Sequence, residues 1–255
     1  MGGVHGHQLF VHGHGALYRL APELKVAATL LFVVAVVLTP RTAFWAFGAY
    51  AVLVATVIVL AGLPARYVLR RLVFEVPFVL FAVFLPFIGQ GERVDVLGLS
   101  LSVQGLWGAW NIVVKGTLGV AASIVLAATT TVPELLRGLD RLRMPKVITA
   151  IMGFMIRYGD VIVDDMRRMK IARQSRGYDP KWIWQAKGVA AAAGALFIRS
   201  FERGERVHVA MLARGYDGTM PVIDGDRQRP VADWVRALIV PVITALIATV
   251  ALVTQ

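Results

Sequence analysis

Apolar residues in this chain come as long, nearly unbroken runs, and polar residues arrive in bulk only beyond residue 129. A helix crossing ~30 Å of hydrocarbon needs about 20 residues, fewer where its ends snorkel. Five segments meet that demand. The first covers residues 24–39, its uncharged core beginning after Lys25, and the second covers 43–63 with no charge at all. The corner Thr39-Pro40-Arg41-Thr42 separates them. The third, 72–88, is short, holds Glu75 and is interrupted by Pro77 and Pro86; the fourth, 106–128, holds only Lys115. The fifth covers 237–253, with Trp234 just before it at an expected interface. The pattern predicts an all-α polytopic membrane protein with about five transmembrane helices.

Between the fourth and fifth runs the period changes. Pro133-Glu134-Leu135-Leu136 opens a short helix at a proline suited to a first turn, with Glu134 near the positive dipole end. A long helix from about Pro145 to Arg176 places Ile148, Met152, Met155, Ile162, Met166 and Met169 on one stripe, with Arg157, Asp160, Asp164, Arg167 and Arg168 opposite. Another, from about Trp184 to Arg214, sets Phe197, Phe201, His208 and Met211 against Arg199, Arg203 and Arg206. Neither holds a 20-residue apolar core, so both are expected to lie against the membrane face or dip partly into it. The run Ala190-Ala191-Ala192-Ala193-Gly194-Ala195 has almost no side-chain volume and predicts a tight helix crossing. The plain alternative is a helix-favouring alanine run with no special contact. The expected layout is residues 1–128 as tail and helices 1–4, 129–230 as a cytoplasmic domain, and 231–255 as helix 5.

Charge fixes the orientation. The chain carries 27 Lys+Arg against 16 Asp+Glu, a net +11, which in a soluble protein would suggest nucleic acid. Here 18 of those 27 cations fall in 129–230. Cytoplasmic loops of membrane proteins concentrate Lys and Arg, so the N-terminus and 129–230 are expected in the cytoplasm and the C-terminus outside, in a plasma membrane. No nucleic-acid partner is expected. At 57% hydrophobic and 17% charged, the composition leans further toward a bilayer than an ordinary soluble domain does. The absence of cysteine removes disulfides, thiolate metal sites and Cys nucleophiles. No cleavable signal peptide is expected.

Both long helices stop in the same words. One ends Ser175-Arg176-Gly177-Tyr178-Asp179 and the other Ala213-Arg214-Gly215-Tyr216-Asp217, and at the same offset Arg168 matches Arg206 and Ala172 matches Ala210. A glycine past the last helical residue is a left-handed stop, and a cation there suits the negative dipole end. Capping accounts for one copy, not for the repetition of Arg-Gly-Tyr-Asp in a second loop. Two similar plugs for two similar sockets account for both, since an arginine forks onto a carboxylate through two parallel hydrogen bonds. Two capped helices with solvated arginines are the alternative.

On these residues the chain resembles the transmembrane T component of energy-coupling factor (ECF) transporters, in its CbiQ-type cobalt branch. The Leu20-Ala21-Pro22-Glu23-Leu24-Lys25 lead-in, the Pro133–Pro145 segment and the order of spans agree. The resemblance implies that 129–230 is a coupling domain of one short and two long crossing amphipathic helices, docked on two ABC-type ATPase subunits. It also implies a separate membrane S component that binds the substrate. Carried over, Arg176 and Arg214 become docking arginines, Gly177 and Gly215 shape their loops, and Ser175 and Ala213 are the small residues before them. The cargo implied is cobalt or nickel; a shared T component serving vitamin S components is the alternative.

The chain itself is expected to be non-catalytic and to bind no cofactor. No Gly-Lys dipeptide occurs, which excludes a P-loop, and Asp164-Asp165 point apart on their helix. His5, His7, His12 and His14 form a Gly-rich tract of a kind that binds divalent metals, but ordering such a tail costs entropy. Glu75 and Lys115, alone within spans, are read as an isolated pair or a snorkelling lysine rather than a proton relay. A secondary transporter with its own midplane site, which would show inverted repeats, and a lipid-surface scaffold are the competing classes.

Overall fold

The computed structural model describes residues 16–89, 92–96, 99–178, 182, 187–218 and 231–254. The four histidines His5, His7, His12 and His14 lie outside these. Contacts divide the chain into two units, one of residues 8–141 with 228–255 and one containing 142–227.

The first unit is the apolar bundle. A turn of helix, α1 (Ala16–Arg19), precedes α2 (Pro22–Leu38) and α3 (Phe44–Leu60). Next, α4 (Ala65–Leu72) runs through a 3-10 turn at Val73–Glu75 into α5 (Val76–Ile88). A hairpin of β1 (Arg93–Val96) and β2 (Leu99–Ser102) leads to α6 (Val103–Thr129) and α7 (Val132–Arg141), and α10 (Val231–Val253) closes the unit. The continuous helix Ala65–Ile88 and α6 are long and apolar enough to cross a membrane; α3 and Leu238–Val253 are shorter apolar helices. The chain is thus helical as expected, with a hairpin that the run-based reading left out. Its strands pair antiparallel, Arg93 opposite Ser102 and Val96 opposite Leu99.

Polar groups in the bundle are spent on contacts between helices. The Lys115 ammonium, in the middle of α6, donates to the carbonyls of Val37 and Thr39 at 2.8 and 2.9 Å, where α2 ends and its last carbonyls lack helical partners. Glu75 is buried and accepts from the Thr117 hydroxyl at 2.9 Å. Glu75 and Lys115 therefore do not pair; each serves a different helix contact. Tyr50, fully buried between Phe32 and Phe47, exchanges a hydrogen bond with Thr39 at 3.0 Å and donates to the Thr244 carbonyl at 3.5 Å, tying α3 to α10.

Helix α7 belongs to this bundle by contact, so the unit boundary falls after Arg141 rather than after residue 128. A Cβ on Gly138 would stand 2.9 Å from the backbone of Pro22 and Glu23, so only glycine lets α7 approach α2 this closely. Arg141 pairs with the buried Glu23 at 3.1 Å, and Lys25 donates to the Thr129 carbonyl at 2.8 Å. Glu134 returns to the Thr131 N–H at 2.9 Å, a carboxylate satisfying an orphan donor near its helix start. The Tyr18 phenol, which donates to the Ala61 carbonyl at 3.4 Å, is pushed above its ordinary pKa by burial and then by neighbouring Tyr67, and stays a donor.

The second unit holds α8 (Lys146–Ser175) and α9 (Lys187–Leu212). They run antiparallel: Phe154 and Tyr158 of α8 share a groove with Val207 and Met211 of α9, while Arg173 lies with Gly188 and Ala191. No residue of either helix is fully buried.

Candidate functional site: the paired helix ends

The two helix ends have one geometry. After α8, the Gly177 N–H donates to the Gln174 carbonyl at 2.9 Å and the Tyr178 N–H to the Arg173 carbonyl at 3.1 Å. After α9, the Gly215 N–H donates to Leu212 and the Tyr216 N–H to Met211, each at 3.0 Å. Both are Schellman stops, and both glycines sit in the left-handed region, at φ +74° and +81°. A side chain at either would strain the turn. The sequence repeat is thus a repeat of backbone shape, and it puts Arg176 and Arg214 at the same position of two matching turns.

Both arginines are exposed, and among the described residues neither guanidinium has a polar partner. Two bare planar forks on rigid turns are available to carboxylates on another protein. Ser175 and Ala213 are exposed beside them; the Ser175 hydroxyl returns to the Ile171 carbonyl at 2.9 Å. Arg214, Gly215, Tyr216 and Asp217 line one end of a groove of about 660 Å³ whose other wall is Phe154, Arg157 and Tyr158.

Tyr178 and Tyr216 are used differently. The Tyr178 hydroxyl accepts from the Gly188 N–H at 3.3 Å, and its ring would lie 2.6 Å from a Cβ on Gly188. That ring holds the start of α9 against the end of α8. Gly188 drew no notice in the sequence, where it was one glycine before an alanine run.

The alanine run is mostly open, with Ala191 beside Arg173 of α8. Ala190, Ala191, Ala193 and Gly194 are exposed, Ala192 and Ala195 half-buried, and a Cβ on Gly194 would meet nothing within 4 Å. The polar link between α8 and α9 is farther on, where Arg203 bonds Asp165 at 2.8 Å with both side chains largely covered. Arg203 therefore faces α8 rather than the outer side to which its spacing assigned it. Large apolar side chains remain open on both helices, including Met155 at 68% and Phe197 at 71% exposure.

A bundle with apolar outer faces, carrying an amphipathic helix pair that ends in two equal Arg-Gly turns, has a counterpart among known proteins. The CbiQ family of cobalt transport proteins matches residues 14–223. The chain belongs to the CbiQ family. This CbiQ-family member is 29% identical over 227 residues to the energy-coupling factor transporter transmembrane protein EcfT of Brevibacillus brevis, covering 82% of this chain and 83% of that one. The EcfT of Ruminiclostridium cellulolyticum is 26% identical over 223 residues, with the same coverage of each chain. An uncharacterised protein of Methanocaldococcus jannaschii is 30% identical over 133 residues; the match covers 51% of this chain and 50% of that relative's length. The protein is a transmembrane T component of the ECF type.

Proposed function

We propose that this T component couples two ABC-type ATPase subunits to a substrate-binding S component, with Arg176 and Arg214 each seated in one ATPase. The observation that carries this is the identity of the two Schellman turns, each presenting an exposed arginine. A twofold partner needs two equivalent contacts, and the chain offers two. Ser175, Gly177, Ala213 and Gly215 shape these contacts. The open apolar faces of α8 and α9 suit the S component and the bilayer edge.

In this reading the chain crosses the membrane five times, with the N-terminus and residues 129–230 in the cytoplasm, and hydrolyses nothing itself. ATP closure of the ATPases moves the two arginine turns relative to each other, and α8 and α9 carry that motion to the S component. The cargo we assign is cobalt(II), following the family's description, with the chemically similar nickel(II) as the alternative.

The test is copurification of the ATPases with Arg176→Ala, Arg214→Ala and the double variant, together with cobalt(II) and nickel(II) uptake. Leaving a buried partner charge unpaired costs ~2–5 kcal/mol. Each single variant therefore weakens assembly, and the double releases the ATPases. Full copurification of the double variant overturns the docking. For orientation, single cysteines at Lys181 and Asp95 are labelled from outside: labelling at 95 alone is expected, and labelling at 181 alone reverses the topology.

A further inference from the structure

The ion pair that joins the two long helices is separated in sequence by 38 residues, and 38 is also the spacing of Arg176 from Arg214. Asp165 and Arg203 are thus the same position in the two copies of the repeat. Two antiparallel helices related by a local twofold axis bring equivalent residues together only on the axis. We infer that the Asp165–Arg203 pair marks a local twofold of the α8–α9 unit and acts as the pivot about which the two arginine turns move.

Two further observations agree. A twofold through this pair maps the groove wall shared by Phe154 and Met211 onto one shared by Arg173 and Ala192; the structure puts Arg173 in a groove with Ala191, one residue away. The arms are equal, since Arg176 lies eleven residues beyond Asp165 and Arg214 eleven beyond Arg203, roughly 16 Å of helix at 1.5 Å per residue.

The axis also accounts for the mismatch of charge between Asp165 and Arg203. The repeat keeps its residues at Arg168 and Arg206 and at Ala172 and Ala210, and departs from them at others, as at Arg167 and Glu205 or Gly159 and Phe197. A residue on the axis meets its own equivalent, and two aspartates or two arginines there would repel. Opposite charges at the equivalent positions 165 and 203 turn that clash into a bond of 2.8 Å. The pair touches no substrate. Asp165 and Arg203 are positioning residues, and their job is to keep the arms equal while letting them rotate.

This inference rests on the docking reading for its purpose, but its geometry is tested without it. Because the chain has no cysteine, Lys170→Cys and His208→Cys, equivalent positions on the two arms, take spin labels cleanly. The distance distribution is read on the full-length T component alone, then on its complex with the ATPases with and without ATP. Asp165→Asn and Arg203→Gln should each broaden the distribution and cut the ATP-driven shift several-fold while the ATPases still copurify. The reversed pair, Asp165→Arg with Arg203→Asp, should recover both. Single variants that match the wild type, or a reversed pair as impaired as the singles, overturn the pivot. If a single variant fails to fold, the reversed pair decides. Loss of the ATP shift with an intact distribution in the isolated chain would instead indict the docking reading.

Discussion

In the membrane bundle an added Cβ at Gly138 would meet the backbone of α2 at 2.9 Å, and at Gly105 it would run into Leu85 and Pro86. In α8 and α9, at Gly153, Gly159, Gly194 and Gly204, it would meet nothing within 4 Å. Among the described glycines, those that meet another segment's backbone are in the bundle, whereas the close one in the helix pair, Gly188, meets a side chain, the Tyr178 ring. The bundle has an enclosed core around Phe32, Val36, Phe47, Tyr50 and Leu118, and Lys115 caps backbone inside it. Among the described residues the helix pair has no enclosed core, and it shows Phe197 and Phe201 to its surroundings. One unit is finished by its own residues. The other leaves its apolar side chains open.

Substitutions that treat both units alike break or sharpen that contrast. The largest effect is expected from Gly105→Leu or Gly138→Leu, where overpacking against backbone costs about 1–3 kcal/mol or more and should lower the thermal midpoint in detergent. Next is Lys115→Met, which strands two carbonyls at the end of α2 and should cost about 1–3 kcal/mol in the same measurement. Gly194→Ala in the helix pair should do the reverse, raising helix stability by about 0.5–1 kcal/mol. If uptake nonetheless falls, a partner lies against that glycine; if stability falls, the open surface assigned to it is wrong. The smallest effect belongs to the exposed Arg206–Glu202 pair, 3.9 Å apart, whose loss should cost roughly 0.3–0.5 kcal/mol by chemical denaturation.

The features written in local chemistry were legible in the sequence. Both Arg-Gly-Tyr-Asp turns could be read because a left-handed stop has its own residue preference, and the structure gives them equal hydrogen bonds. The destinations of Lys115 and Glu75 could not be read, since each answers a backbone or hydroxyl group on a distant helix that leaves no periodic trace. Gly138 and Gly188 escaped for the same reason: a close approach is a property of two segments. The hairpin did leave a trace in Arg93-Val94-Asp95-Val96, where apolar and charged residues alternate. A search tuned to long apolar runs passes over four residues of period two. In sequence Asp165 reads only as the neighbour of Asp164, and its bond to the repeat-equivalent Arg203 is a property of the fold.

The tethers on α2 also set an order of events during synthesis. Lys25 waits for Thr129, 104 residues later, and Glu23 waits for Arg141, 118 residues later. Tyr50 meets the Thr244 carbonyl only after 194 more residues. At ~5–20 residues per second, the Glu23 carboxylate stands without Arg141 for about 6–24 seconds after it is made. Until α10 emerges, the face of α2 that packs on it stays open, so a ribosome stalled before residue 231 leaves a chain whose earliest long helix lacks its wall. The first long helix to be made is the last to be enclosed.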